Sequence, residues 1–133
     1  MRAMGRRVAV VDDDRDIRDA LRGALTDEGY DVTVVPNGLR LLSALKVDKP
    51  DLIVLDVMMS WIDGFELCKA IKRNHDYQQI PVMFISAKGS QEDIQHGMQC
   101  GAVDYVTKPF DLPTLLAKIE KIVGPPSESI TTH

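Results

Sequence analysis

Five side chains of this sequence have the types needed to receive and hold a phosphoryl group, and they share one kind of placement. Asp12 and Asp13 follow the apolar run Val8-Ala9-Val10-Val11, and Asp56 follows Leu52-Ile53-Val54-Leu55. Ser86 closes Val82-Met83-Phe84-Ile85, and Lys108 comes directly after Tyr105-Val106-Thr107. A carboxylate such as Asp56 can act as a nucleophile toward phosphorus. A lysine ammonium supplies a point charge for a phosphoryl oxygen, and a serine hydroxyl supplies a donor. Three carboxylates converging on one crevice repel each other and raise at least one pKa, which a divalent cation would relieve. Mg²⁺ takes oxygen ligands, usually one or two carboxylates with a phosphate and water. Asp12, Asp13 and Asp56 fit that description, and backbone carbonyls of the loop after Asp56 can add an oxygen.

The elements that must position these groups follow from the same runs. An uninterrupted aliphatic stretch suits a strand buried on both faces of a sheet. Continuing such a strand into a carboxylate is costly, so each strand is expected to end where its polar residue begins. Strands are read over Val8–Val11, Val32–Val34, Leu52–Leu55, Val82–Ile85 and Tyr105–Thr107, the second of the edge type. Helices are read at about 16–28, 39–46, 65–74, 91–100 and 112–123. In the second of these Leu41, Leu42 and Leu45 are expected inward; in the fourth, Ile94 and Met98 carry a thin apolar stripe. The fifth has the cleanest period, through Leu112, Leu115, Leu116, Ile119, Ile122 and Val123. Strands alternating with helices imply an α/β doubly wound parallel sheet, flavodoxin-like, with five strands in the order 2-1-3-4-5. That order puts the switch point between strands 1 and 3, where Asp12-Asp13 and Asp56 would meet.

Each residue also has a plainer reading. Asp14 is explained as a helix cap. Ser86 alone could be a turn serine, and most lysines are solvated; a cis bond before Pro109 would sharpen the case for Lys108. The coincidence of suitable groups on four strand ends carries the reading. His75, His96 and His133 show no metal-ligand spacing. Cys68 and Cys100 form no C-x-x-C pair and read as buried free thiols. Met58 and Met59 read as loop and core residues.

Composition bounds the rest. A chain of 133 residues has room for one domain. No apolar stretch approaches the roughly 20 residues needed to span a bilayer, and the run after the basic start is too short for a signal peptide. A cytoplasmic location is expected, with no membrane contact. The net charge of −4 gives no electrostatic footprint for nucleic acid, so no direct nucleic-acid binding is expected. The boundaries are a flexible N-terminus over 1–7, one domain over 8–123, and a linker or tail over 124–133. The Pro-Pro-Ser composition of that tail favours a longer protein with an output domain after it; a single-domain protein is the alternative.

The stretches Val-Val-Asp-Asp-Asp, Leu-Ile-Val-Leu-Asp-Val-Met-Met with Asp63-Gly64 after it, Phe-Ile-Ser-Ala, and Gly-Ala-Val-Asp-Tyr-Val-Thr-Lys-Pro-Phe resemble the receiver domain of bacterial two-component response regulators. The resemblance covers about Val8 to Val123. It implies that Asp56 accepts a phosphoryl group from a sensor histidine kinase or phosphotransfer protein. It implies Mg²⁺ held by Asp12, Asp13, Asp56 and the Met58 carbonyl, with Lys108 and Ser86 on the phosphoryl oxygens. Tyr105 would be the aromatic whose rotamer reports the state, turning into space that Ser86 vacates. The face of helix 4, strand 5 and helix 5 would then change its preference for a downstream output domain or protein, and a phosphorylation-linked dimer is compatible with this. Such a domain assists its own phosphorylation and dephosphorylation without being an enzyme in the ordinary sense. One departure is visible: the family's usual Pro four residues after the acceptor is Ser60 here, followed by Trp61, so a looser loop is expected. Trp61 should lie near the site.

Two rivals remain. A haloacid-dehalogenase-like phosphatase would make Asp12 the nucleophile and Asp14 the acid/base, but would leave Asp56 without a role. A receiver-like interaction module that is never phosphorylated would have no need of the intact acceptor, acid pair, Ser and Lys.

Overall fold

Each apolar run becomes a strand, and the runs lie side by side. In chain order the elements are β1 (Arg7–Val11), α1 (Arg15–Glu28), β2 (Asp31–Val35), α2 (Gly38–Val47), β3 (Leu52–Leu55), α3 (Gly64–Arg73), β4 (Val82–Ser86), α4 (Gln91–Gln99), β5 (Asp104–Thr107) and α5 (Leu112–Val123). The computed structural model describes residues 6–126, so most of the segments read as a flexible start and a tail lie outside the described residues. The sheet order is β2-β1-β3-β4-β5 with every pair parallel, the doubly wound order that the alternation implies. β1 starts one residue earlier than its apolar run, because Arg7 pairs with Asp31 across the ladder.

Alternate side chains of a strand face opposite sides of the sheet. Val10, Val54 and Met83 therefore enter one layer, closed by Leu21 and Leu25 of α1 and Leu115 and Ile119 of α5. Val11, Leu55 and Phe84 enter the other, closed by Leu41 and Leu45 of α2 and by Phe65, Cys68 and Ile71 of α3. All four residues of β3 have 0% exposure, which makes it the fixed centre of the sheet. Burying each of those side chains stabilises the fold by roughly 1.5–3 kcal/mol. Each helix start has a capping side chain: Asp14, Asn37, Asp63, Ser90 and Asp111 accept from backbone amides two or three residues on.

Two inward assignments are corrected. Leu42 is 37% exposed, because α2 covers the flank of the sheet and only Leu41 and Leu45 reach it. Leu42 lines a shallow apolar groove with Leu39, Trp61, Ile62 and Leu67 instead. In α4, Met98 is 42% exposed; the inward residue is Gly97, with Ile94 only partly buried.

One glycine fixes how the chain leaves the sheet after β3. A Cβ on Gly64 would lie 2.2 Å from the Asp56 carbonyl oxygen and 2.7 Å from the Val57 Cα, and backbone atoms cannot move aside. The Gly64 amide instead donates to the Val57 carbonyl at 2.8 Å, turning the chain into α3. Gly23, in mid-α1, would meet nothing within 4 Å. Gly64→Ala should therefore lower stability by roughly 2–4 kcal/mol. Gly23→Ala should raise it by about 0.5–1 kcal/mol through helix propensity alone. Urea unfolding of the two variants checks both signs.

Candidate functional site

The strand ends continue their ladders by one residue, and this aims the carboxylates. The Asp56 amide donates to the Val11 carbonyl at 3.0 Å, and the Asp12 amide to the Val35 carbonyl at 3.2 Å. Both side chains thus emerge at the carboxyl end of the sheet, in the crevice between β1 and β3. Asp12, Asp13 and Asp56 each offer a carboxylate oxygen within 4.8 Å of the others. Asp12 is fully buried and Asp56 nearly so, whereas Asp13 is exposed.

Asp12 is gripped at every polar atom. Its Oδ1 accepts from the Asp14 amide at 2.9 Å, and its Oδ2 from Lys108 Nζ at 2.8 Å. Its carbonyl accepts from Arg18 Nη1 at 2.8 Å. Arg18 is a participant that the sequence pattern conceals: six residues on, across a loop-to-helix junction, it reads as an ordinary surface arginine of α1. Asp56 Oδ1 accepts from the Met58 amide at 3.2 Å, and its Oδ2 lies 3.4 Å from Lys108 Nζ. One ammonium, delivered from the end of β5 just before the cis Lys108–Pro109 bond, therefore serves two carboxylates.

The electrostatics follow from that shortage of cations. Burial first, and then the charge of Asp12, push the Asp56 carboxyl up to about 6, and the attraction of Lys108 only partly opposes this. Burial works against the Lys108 ammonium, but its hydrogen bond to Asp12 and the charges of both carboxylates hold its pKa above the ordinary lysine value. The cluster is all-oxygen, partly buried and short of positive charge, so it fits a hard divalent cation.

Ser86 is fully buried at the end of β4, with its Oγ accepting from the Lys88 amide at 3.1 Å. The Lys108 amide donates to the Ser86 carbonyl at 2.8 Å, which ties the lysine's backbone to the serine's. Tyr105 is only 8% exposed, so its ring is already turned inward, and its hydroxyl donates to the Lys88 carbonyl. Burial raises the Tyr105 phenol, partly offset by a hydrogen bond with Ser86. Trp61 belongs to the loop after Asp56 and lines a groove with Met58, Met59, Asp63 and Lys88, yet its side chain is 95% exposed. The cause is local. Its φ is +80° and the Ile62 amide donates to the Ser60 carbonyl at 3.0 Å, the tight three-residue turn that throws the indole outward. Met58 is likewise outward, at 54% exposure. Asp14, the acid/base that a phosphatase would need, caps α1 instead, its Oδ1 accepting from the Asp16 amide at 2.8 Å. Cys68 and Cys100 are free and buried.

A five-stranded parallel sheet with an acidic crevice, a buried hydroxyl and a lysine at its strand ends defines a class of signalling domain. The response regulator receiver domain family matches residues 8–120, and the chain belongs to it. The transcriptional regulatory protein CseB of Streptomyces coelicolor is 41% identical over 116 residues, covering 87% of this chain and 48% of its own. The response regulator MprA of Mycobacterium bovis is 38% identical over 120 residues, covering 90% of this chain and 51% of its own. The chain thus spans about half the length of these curated relatives. Among solved structures, the chemotaxis protein CheY4 of Vibrio cholerae superposes with a TM-score of 0.83 at 32% identity, over 90% of this chain and 99% of that one. The Francisella response regulator 1452 receiver domain gives 0.82 at 32% identity, over 89% of this chain and 96% of that one. No described helix is long and apolar enough to cross a membrane.

The raised Asp56 carboxyl makes a prediction about metal-free protein. Its folded value lies above that of an unfolded aspartate, so the folded state holds the proton more tightly. Stability from that proton is complete below about pH 4 and is lost as pH rises through about 6. In chelator, Asp56→Asn should therefore stabilise the fold by about 1–3 kcal/mol near pH 8 and by little near pH 4. Urea midpoints of wild type and variant at both pH values measure this; an equal effect at both would show that Asp56 carries no such penalty.

Proposed function

We propose that this chain is a phosphorylation-dependent switch in which Asp56 accepts a phosphoryl group from a phosphohistidine donor. The observation that carries the reading is the meeting of Asp12, Asp13 and Asp56 with Lys108 at the ends of three strands. An oxygen of the Asp56 carboxylate forms the new P–O bond while the P–N bond to the donor imidazole breaks, its electron pair leaving on nitrogen. Asp12, Asp13, Asp56 and the Met58 carbonyl would hold Mg²⁺, which supplies charge neutralisation to the equatorial phosphoryl oxygens. Lys108, now shared between two carboxylates, turns to a phosphoryl oxygen. Ser86 donates its hydroxyl to another oxygen, which takes that hydroxyl from the neighbourhood of Tyr105. The bound phosphoryl group adds charge and acceptor oxygens at the crevice, and the rearrangement passes to α4, β5 and α5.

The donor in this reading is a sensor histidine kinase or a phosphotransfer protein. The recipient is an output domain or protein that reads the α4–β5–α5 face, with a phosphorylation-linked dimer as one form of output. That the curated relatives are about twice as long and include a transcriptional regulatory protein supports an output domain of the transcriptional kind. The domain contributes to forming and losing its own acyl phosphate, in a cytoplasmic setting.

Intact mass after incubation with a small acyl-phosphate donor tests the chemistry. A Mg²⁺-dependent adduct is expected on wild type and none on Asp56→Asn. An adduct that survives in Asp56→Asn would place the acceptor elsewhere. No adduct on folded protein that binds Mg²⁺ would favour an interaction module that is never phosphorylated. Mg²⁺ should also change the emission of Trp61, the only tryptophan. With the indole already 95% exposed, intensity should change through the loop backbone, without a blue shift. A flat titration alongside calorimetric Mg²⁺ binding would mean that the loop past Met58 does not respond.

A further inference from the structure

Gly97 sits in the interior of α4, where glycine costs about 1 kcal/mol relative to alanine. Its φ is not in the left-handed region that would require glycine, so the reason must lie in packing. A Cβ there would lie 2.8 Å from Tyr105 Cδ2, 3.0 Å from Tyr105 Cε2 and 3.1 Å from Phe84 Cδ2. The Tyr105 ring therefore occupies the place of a missing side chain.

We propose that Gly97 positions Tyr105: the notch it leaves in α4 is what lets the ring lie inward with its hydroxyl on the Lys88 carbonyl. Three groups meet at the notch, and only one of them can yield. Phe84 has 0% exposure and stands edge-on to Phe65 at 5.2 Å and 72°. α4 is pinned at both ends. Ser90 and Asp93 form a capping box at its start. Near its other end His96 packs on Phe65 with ring centroids 4.2 Å apart, and Cys68 Sγ donates to the Cys100 carbonyl at 3.5 Å. Tyr105 lies on the edge strand β5, and an outward turn of its ring gives up the hydroxyl's contacts with the Lys88 carbonyl and Ser86, which water can replace, and one tilted ring contact with Phe84. A methyl group at position 97 accordingly expels the tyrosine and leaves the helix in place.

The consequence for signalling rests on the phosphoacceptor reading above; the geometric claim does not. Lys88, which takes the tyrosine hydroxyl, also donates its amide to Ser86 Oγ, so the inward ring and the buried serine share one loop. Expelling the ring would remove the arrangement in which Ser86 is placed to serve a phosphoryl group, and acyl-phosphate labelling of Asp56 should slow severalfold.

The test incorporates 3-fluorotyrosine into the whole chain, which has three tyrosines, and assigns Tyr105 with Tyr105→Phe. Gly97→Ala should move the Tyr105 fluorine signal to a solvent-exposed position and increase its H₂O/D₂O isotope shift, leaving Tyr30 and Tyr77 unmoved. An unmoved Tyr105 signal in folded Gly97→Ala would overturn the proposal. Absence of an adduct on wild type would sink the phosphoacceptor reading and leave the fluorine result standing. If Gly97→Ala does not fold, the comparison moves to a Tyr105→Ala background. There Gly97→Ala should be tolerated or stabilising by urea midpoint and should leave the labelling rate unchanged; an equal loss in both backgrounds would assign the glycine to Phe84 and overturn the role claimed here.

Discussion

Asp12 and Asp56 leave the sheet at strand ends buried from both faces, and their carboxylates share a single ammonium, that of Lys108. Uncompensated, a buried charge costs several kcal/mol, so the neighbourhood is built to limit that cost. Backbone amides of Asp14 and Met58 point at the carboxylates, and Arg18 takes the Asp12 carbonyl. The Asp56 carboxyl is still raised, by its burial first and then by the charge of Asp12, and one ammonium does not offset both. A crevice that holds two buried carboxylates on one ammonium is suited to a further positive charge.

Much of this arrangement was legible in the residues because burial writes a simple signal. A four-residue aliphatic run flanked by polar residues suits an interior strand, so the positions of Asp12 and Asp56 at strand ends follow from such runs, and those of Ser86 and Lys108 from the apolar or β-branched stretches before them in the alternation of strands and helices. The parallel order of the strands then brought the carboxylates together. What escaped was of a different kind. Apolar side chains at helical spacing usually lie inward, yet the sheet's flank and the close approach of α4 leave no room for Leu42 and Met98. Gly97 carries no hydropathic signal, though it is the residue α4 turns toward the sheet. Arg18 acts across a loop–helix junction, where neither periodicity of three to four nor of two applies. Distance along the chain puts Trp61 near Asp56, but the positive φ that turns its indole to solvent has no signature in residue type.

The sheet also explains where change is permitted. β1 and β3, which carry the acidic residues at their ends, are held between neighbours on both sides and between helices on both faces. Their backbone cannot shift without opening both layers of core. β5 has a neighbour on one side only, and it carries Tyr105 and leads into Lys108. Of the groups around the crevice, those on the edge strand can therefore move at least cost, and the central carboxylates provide the fixed frame against which the movement has meaning. No displacement of the core is needed for such movement: α4 rests on the Tyr105 ring through Gly97, so it is the helix on which any change in that ring's position bears first.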